Sequence, residues 1–237
     1  MAKHARQCTL GAVRLRVLTW NLMHGRSVPG SGRDMLEDFS RALAGWEWDV
    51  ALLQEVPPWW PVALARRLHC EQVSVRTSRN LLLPLRRFVA VRWPDLIKSN
   101  GGGANAILAR ADRIVEHRAL RLCWTPERRW AHGVQLACGV WLVNLHATAH
   151  APERARSDVA LAAQAARTWA NDLPLVFGGD FNLGAPEVEG MRSVADRDVD
   201  HLLIGKRLRA VEAGQTLERG TLSDHLPLAV TLDVTRG

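Results

Sequence analysis

Apolar residues along this 237-residue chain fall into short runs, and most runs end on polar residues. Residues 13–18 alternate apolar and basic, predicting a strand that ends at Asn21. Residues 26–33 contain Pro29, Gly30 and Gly32 and predict a loop. Met35, Leu36, Phe39 and Leu43 recur at helical spacing, so residues 33–45 read as a helix. Residues 49–53 form a short apolar strand that delivers Gln54 and Glu55. Pro57 and Pro58 stand before a helix over 60–68, since proline suits a helix start.

Residues 86–93 and 105–110 read as strands, with the glycine-rich stretch 99–103 between them. That stretch is a flexible loop and not a phosphate-binding loop, because no Gly-Lys-Ser/Thr follows it. Residues 134–137 and 140–144 flank Cys138-Gly139 as a hairpin. Pro152 opens an alanine-rich helix that runs through Ala170. Residues 173–177 form a buried strand leading to Asp180, and 200–204 and 226–234 are the last two strands. Many strands with few helices predict an α+β chain of packed sheets with helices outside.

The length suits one domain over residues 1–237, with residues 1–12 expected as a flexible start. No apolar stretch is long enough to span a bilayer, and no secretory signal is visible near Met1. Cys8, Cys70, Cys123 and Cys138 show no paired spacing, so they read as free, buried thiols of a reducing, cytoplasmic protein. Net charge is +7, which favours a polyanionic partner such as nucleic acid. The charge is nearly all arginine, since Lys3, Lys98 and Lys206 are the only lysines. An alanine- and arginine-rich composition also follows from GC-rich coding, so charge alone assigns no substrate. Ten tryptophans and no tyrosine stand out, and most of those tryptophans are expected in the core.

The chemistry sits where the runs end. Trp20-Asn21, Gln54-Glu55, Asn144-Leu145-His146, Gly179-Asp180-Phe181-Asn182 and Ser223-Asp224-His225 each close or open an apolar segment. Desolvated carboxylates need partners, and Glu55, Asp180 and Asp224 would gain one from a divalent cation. Oxygen donors without zinc-type cysteine or histidine spacing favour Mg²⁺ or Mn²⁺. Gly178 and Gly179 permit a sharp turn, and Asp180 and Asn182 can then face one cleft. Taken alone, Glu55 is an ordinary strand-end acid, and the Gly-Asp-Phe-Asn segment an ordinary turn. Two histidines near such acids suggest proton transfer or phosphate binding. His24 and His150 are less readable, and His201 reads as structural.

These segments, in this order, resemble the endonuclease/exonuclease/phosphatase superfamily. It contains deoxyribonuclease I, exonuclease III-like repair enzymes, sphingomyelinases and inositol polyphosphate phosphatases. The resemblance runs from Trp20 to His225, and Gly-Asp-Phe-Asn and Ser-Asp-His are its most specific parts. It implies a four-layer α/β sandwich of the deoxyribonuclease I-like kind, with two mixed β-sheets face to face. It also implies a metal-dependent phosphoester hydrolase. By resemblance Glu55 is the principal metal ligand, with Asn21 beside it and Asp224 as a further acid. Asp180 orients the attacking water with Asn182 as its partner. Asp200 holds His225, which binds a phosphate oxygen, and His146 assists the leaving oxygen. Asn105, Asn144 and Arg154 are candidate substrate-binding residues.

Three departures stand out. Leu22-Met23-His24-Gly25 replaces a stretch that carries an acid in some repair members. Asn105 stands where the nuclease branch supports its first histidine with a carboxylate. Site tyrosines are absent altogether. The resemblance implies a nucleic-acid phosphodiesterase first, and a hydrolase of a lipid head group or other small phosphoester second. A non-catalytic nucleic-acid-binding member is the third reading. No obligate protein partner is indicated. The pairs Arg66-Arg67, Arg86-Arg87, Arg128-Arg129 and Arg154 with Arg156 could contact phosphates, although each alone suits a solvated face. Trp59, Trp60 and Trp124 could stack on bases, with core burial as the plainer role.

Overall fold

The computed structural model describes residues 14–77, 82–93, 96, 103–124 and 128–234. The predicted loop at 99–103, apart from Gly103, and the start of the chain with Cys8 lie outside the described residues. In chain order the elements begin β1 (Arg14–Asn21), α1 (Leu36–Gly45), β2 (Val50–Val56), α2 (Trp60–Leu68), β3 (Glu71–Arg76), α3 (Leu83–Arg92) and β4 (Ala104–Ala109). There follow β5 (Ile114–Cys123), β6 (Arg129–Leu136), β7 (Trp141–His146), α4 (Pro152–Ala170), β8 (Leu175–Asp180), β9 (Met191–Arg197) and β10 (Asp200–Gly205). Short β11 (Leu208–Ala210) and β12 (Gln215–Thr216) precede β13 (Leu228–Val234).

The strands form two mixed sheets. One runs β11-β13-β1-β2-β4-β3 with β12 beside β13, and the other runs β5-β6-β7-β8-β10-β9. β1 with β2 and β7 with β8 are the parallel pairs; the other pairs are antiparallel. Three apolar layers separate four structural ones. Leu15, Val17, Leu52, Ile107, Val134, Leu142, Val176 and Ile204 fill the space between the sheets. Trp20, Leu53, Phe39, Leu43, Trp60 and Leu64 seal α1 and α2 against the first sheet. Ala155, Ala162, Ala163 and Ala166 let α4 approach Val143, Leu145 and Phe177 of the second. The expected four-layer sandwich is the observed fold.

Some local expectations change. Residues 86–93 are not a strand: α3 covers Leu83–Arg92, with Pro84 in its first turn. Proline fits that position, and a short apolar run alone does not separate helix from strand. The polar strands β3, β5 and β9 went unpredicted. They alternate or expose most of their side chains, being an edge strand (β3, β5 and β9 alike). The thiols at Cys70, Cys123 and Cys138 are half-buried rather than buried. Among the tryptophans, Trp20, Trp48, Trp60 and Trp141 are buried, whereas Trp93 and Trp124 are exposed.

The inner faces of the sheets change character from one end to the other. On β1 the inward series Leu15, Val17 becomes Thr19, Asn21; on β2 Val50, Leu52 becomes Gln54. On β7 Leu142 becomes Asn144, His146, and on β8 Val176 becomes Gly178, Asp180. Antiparallel β4, β6 and β10 run the other way and bring Asn105, His132 and Asp200 to the same end. Period-two alternation thus builds one polar end on an otherwise apolar interior.

Asn144 ties this polar layer together. Its Nδ2 donates to Leu53 O at 2.9 Å and Ala106 O at 3.1 Å, and its Oδ1 accepts from Gln54 Nε2 at 2.7 Å. It is therefore buried between the sheets and committed to protein groups, which excludes the expected substrate contact. His132 lies against it, with Nε2 3.4 Å from Asn144 Nδ2 and Nδ1 3.3 Å from His117 Nε2. Burial, with the neighbouring His117, pushes His132 down to about 3.

Asn144→Ala removes the side-chain bonds to Leu53 O, Ala106 O and Gln54 Nε2 and opens a buried gap between the sheets, and is expected to cost about 2–4 kcal/mol in urea unfolding. His132 has its folded pKa below its unfolded value. Its contribution is therefore present above the unfolded value near 6.5 and lost as pH falls toward about 3. Urea unfolding between pH 7 and 5 should show stability falling with pH, with a shallower slope in His132→Gln.

Candidate active site

The polar end gathers the predicted residues by register. Asn21 closes β1 beside Gln54 of β2, and His146 closes β7 beside Asp180, which closes β8. Asp180 pairs in turn with Asp200, the first residue of β10. Between Leu53 and Val56 the register of β2 against β4 shifts, a bulge that holds Gln54 and Glu55. Glu55 has φ +50°, an uncommon left-handed backbone for a side chain of this size. Gly179 has φ +135°, and an added Cβ would overlap the Leu145 carbonyl oxygen. Only glycine permits β8 to lie so close to β7 just before Asp180.

Two groups of contacts meet in the cleft. In the first, Asn21 Nδ2 donates to Asp180 Oδ2 at 2.9 Å, and the Asn182 N–H donates to Asp180 Oδ1 at 3.0 Å. His146 Nε2 stands 3.6 Å from Asp180 Oδ2 and 3.7 Å from Glu55 Oε1. His24 Nε2 stands 3.2 Å from Glu55 Oε2. In the second, His225 Nδ1 donates to Asp200 Oδ2 at 2.6 Å, leaving Nε2 3.9 Å from Asp224 Oδ1. Ser223 braces the loop: its Oγ donates to Asn21 O at 2.7 Å and accepts from the His225 N–H at 3.1 Å. Trp20 Nε1 adds a bond to His225 O at 3.0 Å.

Burial and charge act against each other here. Burial pushes Asp180 above the usual carboxylate range, opposed by His225, Asn21, the Asn182 N–H and Arg129. Burial likewise pushes Asp200 up to about 6, against the pull of its bond to His225. Burial lowers His225, but the bond to Asp200 and the charges of Asp200, Asp180 and Asp224 outweigh it and raise it to about 9. At neutral pH the pair is imidazolium and carboxylate, with a proton on Nε2 facing the cleft. His146 moves oppositely: burial, then Arg129, His24 and His225, hold it well below its ordinary value. It is a neutral imidazole, able to donate a hydrogen bond but not held as an acid.

Asp180, Asp200 and His225 bring one potential ligand atom each within 4.8 Å of one another. The 2.6 Å bond between His225 and Asp200 is occupied by a proton, so this trio is an ion pair beside a carboxylate rather than a metal cage. The donors that suit a hard divalent cation lie on the other side. They are Glu55 and Asp180, about the same His146 nitrogen, with Asn21 Oδ1 next to them. These are oxygen donors, and the donor set fits Mg²⁺ or Mn²⁺. Asn21 Oδ1 already accepts the Met23 N–H at 2.9 Å and keeps one lone pair.

Asn21, Glu55, His146, Asp180, Asn182, Asp200, Asp224 and His225 therefore share one cleft. Asp224 is exposed at its rim and joins through His225. Asn105 is buried with both amide atoms unpartnered and no hydrogen bond to His146. Arg154 is exposed in the first turn of α4. His201 is structural in position, its Nε2 donating to Leu183 O at 2.7 Å. Sequence reasoning gave His24 no role and named Arg129 only within the Arg128-Arg129 pair as a possible phosphate contact. His24 sits just beyond Asn21, in the stretch that departs from the superfamily pattern. Arg129 opens β6 and is buried there rather than lying on a solvated face.

A deoxyribonuclease I-like sandwich with an acid- and histidine-lined cleft defines the class. The family model for the endonuclease/exonuclease/phosphatase family matches residues 18–225, and the chain belongs to that family. The family is generally hydrolytic on phosphoester bonds and typically depends on a divalent metal. An endonuclease/exonuclease/phosphatase from Beutenbergia cavernae DSM 12333 superposes with a TM-score of 0.73 at 17% identity, over 94% of this chain and 72% of that one. TDP2 from C. elegans superposes with 0.69 at 16% identity, over 93% and 75%. An endonuclease/exonuclease/phosphatase from Bacteroides vulgatus gives 0.68 at 14% identity, over 94% and 99%. One curated protein, maleylacetate reductase 2 from Cupriavidus pinatubonensis (strain JMP 134 / LMG 1197), is 35% identical over 117 residues, 47% of this chain and 32% of its own length. The chain spans about a third of that relative, and this local match lends it no activity.

His225 should titrate near 9 by NMR, and Asp200→Asn should lower that value by about one unit or more, because it removes the anionic hydrogen-bond partner.

Proposed function

We propose that the chain hydrolyses a phosphodiester by in-line attack of a water oriented by Asp180. The observation that carries this reading is the seating of Asp180 between Asn21, His146 and the Asp200–His225 ion pair. Asn21 and the Asn182 N–H each occupy one Asp180 oxygen and fix the carboxylate plane. A water held against Asp180 has its proton acceptor in place before substrate arrives. His225 presents Nε2–H to a phosphoryl oxygen, and Asp200 keeps that ring protonated and in plane. His146, neutral, donates a hydrogen bond toward an anionic oxygen. Glu55 and Asp180, with Asn21 beside them, would hold Mg²⁺ or Mn²⁺, and Asp224 stands on the other side, at His225. When bound, the cation would polarise a phosphoryl oxygen and offset charge on the leaving oxygen.

The net charge of +7 supports nucleic acid as the substrate. A phosphodiester in a lipid head group is the second reading, favoured by the exposed apolar face of α3 near the cleft.

Asp180→Asn and His225→Ala should each lower kcat by about 10²–10³ or more with circular dichroism unchanged. Residual turnover within about threefold of wild type would defeat the assignment. Chelation should abolish activity and Mg²⁺ or Mn²⁺ restore it, tested on plasmid DNA, abasic duplex, single-stranded RNA and small phosphoesters.

A further inference from the structure

The connection between β3 and β4 leaves and returns at the cleft. Arg76 pairs with Ala104, and the Thr77 N–H donates to Gly103 O at 3.0 Å. Gly103 borders His24, whose ring a Cβ on that glycine would meet at 3.5 Å. α3 is the described part of this connection. Its Arg87 lies 6.0 Å from the ring of Trp59, a few residues beyond the Glu55 bulge.

α3 turns apolar side chains outward. Leu82 is 64% exposed, Leu85 57%, Phe88 63% and Val91 44%, and exposed Trp93 and Leu96 continue the patch. Ala90, on the opposite side, is buried. A helix apolar around most of its circumference is ordinarily covered. A contiguous exposed apolar patch marks an interaction site. Residues 82–93 carry Arg86, Arg87 and Arg92 and no acidic residue.

A second element points the same way. β3 packs against β5 and β6, so the edges of the two sheets lie side by side. The β5–β6 connection also sits at the cleft end, since Cys123 pairs with Arg129 and the Arg129 charge acts on His146. Exposed Trp124 is there, with the Arg121 guanidinium 3.1 Å from its ring centroid.

Leucine and valine gain nothing from a sugar–phosphate backbone, and stacked bases select aromatic platforms. Acyl chains accept aliphatic and aromatic side chains alike, with arginines reaching to the head groups. A helix carrying three arginines and no acidic residue selects anionic head groups. We propose that α3, with Trp93 at its end, docks this chain onto an anionic lipid bilayer with the cleft at the membrane surface. The docking surface stands apart from the hydrolase reading; presentation of the substrate phosphoester by the bilayer rests on that reading.

The test is flotation of the full chain carrying Asp180→Asn with phosphatidylcholine vesicles, with and without phosphatidylglycerol. Binding is expected on the anionic vesicles, weakened by salt, and reduced about tenfold or more by Leu85→Ser with Phe88→Ser. The same pair in the otherwise wild-type chain should leave the circular dichroism spectrum unchanged. Its hydrolysis of a soluble phosphodiester should stay within about twofold. Absence of anionic-vesicle binding, or binding that survives the double substitution, overturns the proposal. Loss of duplex-DNA binding by the double variant, without vesicle binding, also overturns it and assigns the face to nucleic acid. Vesicle binding that depends on α3, in a wild-type chain inert on every phosphoester, upholds the surface and removes the hydrolase reading.

Discussion

Two sheets can close face to face only where each inward side chain is apolar or has its polar atoms met. That constraint organises the molecule. Leu15, Val17, Leu142 and Val176 meet it by packing; further along the same strands Asn21, Asn144 and Asp180 meet it by bonding across the gap, and Thr19 by a bond to Gln54 within its own sheet. Asn144 serves both sheets at once, holding carbonyls of β2 and β4 from a strand of the opposing sheet. The cleft is where this mutual satisfaction stops: Asp200 Oδ1, Gln54 Oε1 and the Asn105 amide are buried without partners.

The electrostatics follow from that geometry. Burial opposes ionisation of Asp180 and Asp200, and the His225 imidazolium, with the Arg129 charge acting on Asp180, opposes burial. The second histidine stays neutral because Arg129, His24 and His225 surround it in a buried position. Two imidazoles in one cleft thus differ in protonation by environment alone. Four carboxylates, Glu55, Asp180, Asp200 and Asp224, outnumber the positive charges of His225 and Arg129, consistent with a hard cation as an additional partner.

Much of this was legible in the sequence because apolar runs ending on polar residues record both burial and the place where it ends. Asn21, Glu55, Asp180 and His225 were readable for that reason. The hairpin at Cys138-Gly139 and the helix from Pro152 to Ala170 were readable from turn and helix-start chemistry. What escaped carries no such record. β5 buries none of its side chains fully, so no apolar run marks it. α3 has an apolar run whose outward face suits neither a buried strand nor an ordinary surface helix. Asn144 looked like a site residue because a polar strand end has the same letters whether it faces substrate or the opposite sheet. His24 acts through a turn with positive φ, which spacing does not reveal.

The bulge in β2 has a consequence for side-chain parity. Val50, Leu52 and Gln54 face the opposing sheet, while Ala51, Leu53 and Val56 face the helices. Strict alternation would send residue 55 outward, among Phe39, Trp60 and Leu64, and turn residue 56 toward the cleft. The extra residue at the strand's end spares the carboxylate that environment and gives it to a valine. Shortening this strand by a single position at the bulge would restore strict alternation with Val56 still among the helices, so the strand would keep either the amide that bonds to Asn144 or the carboxylate of the cleft, and lose the other.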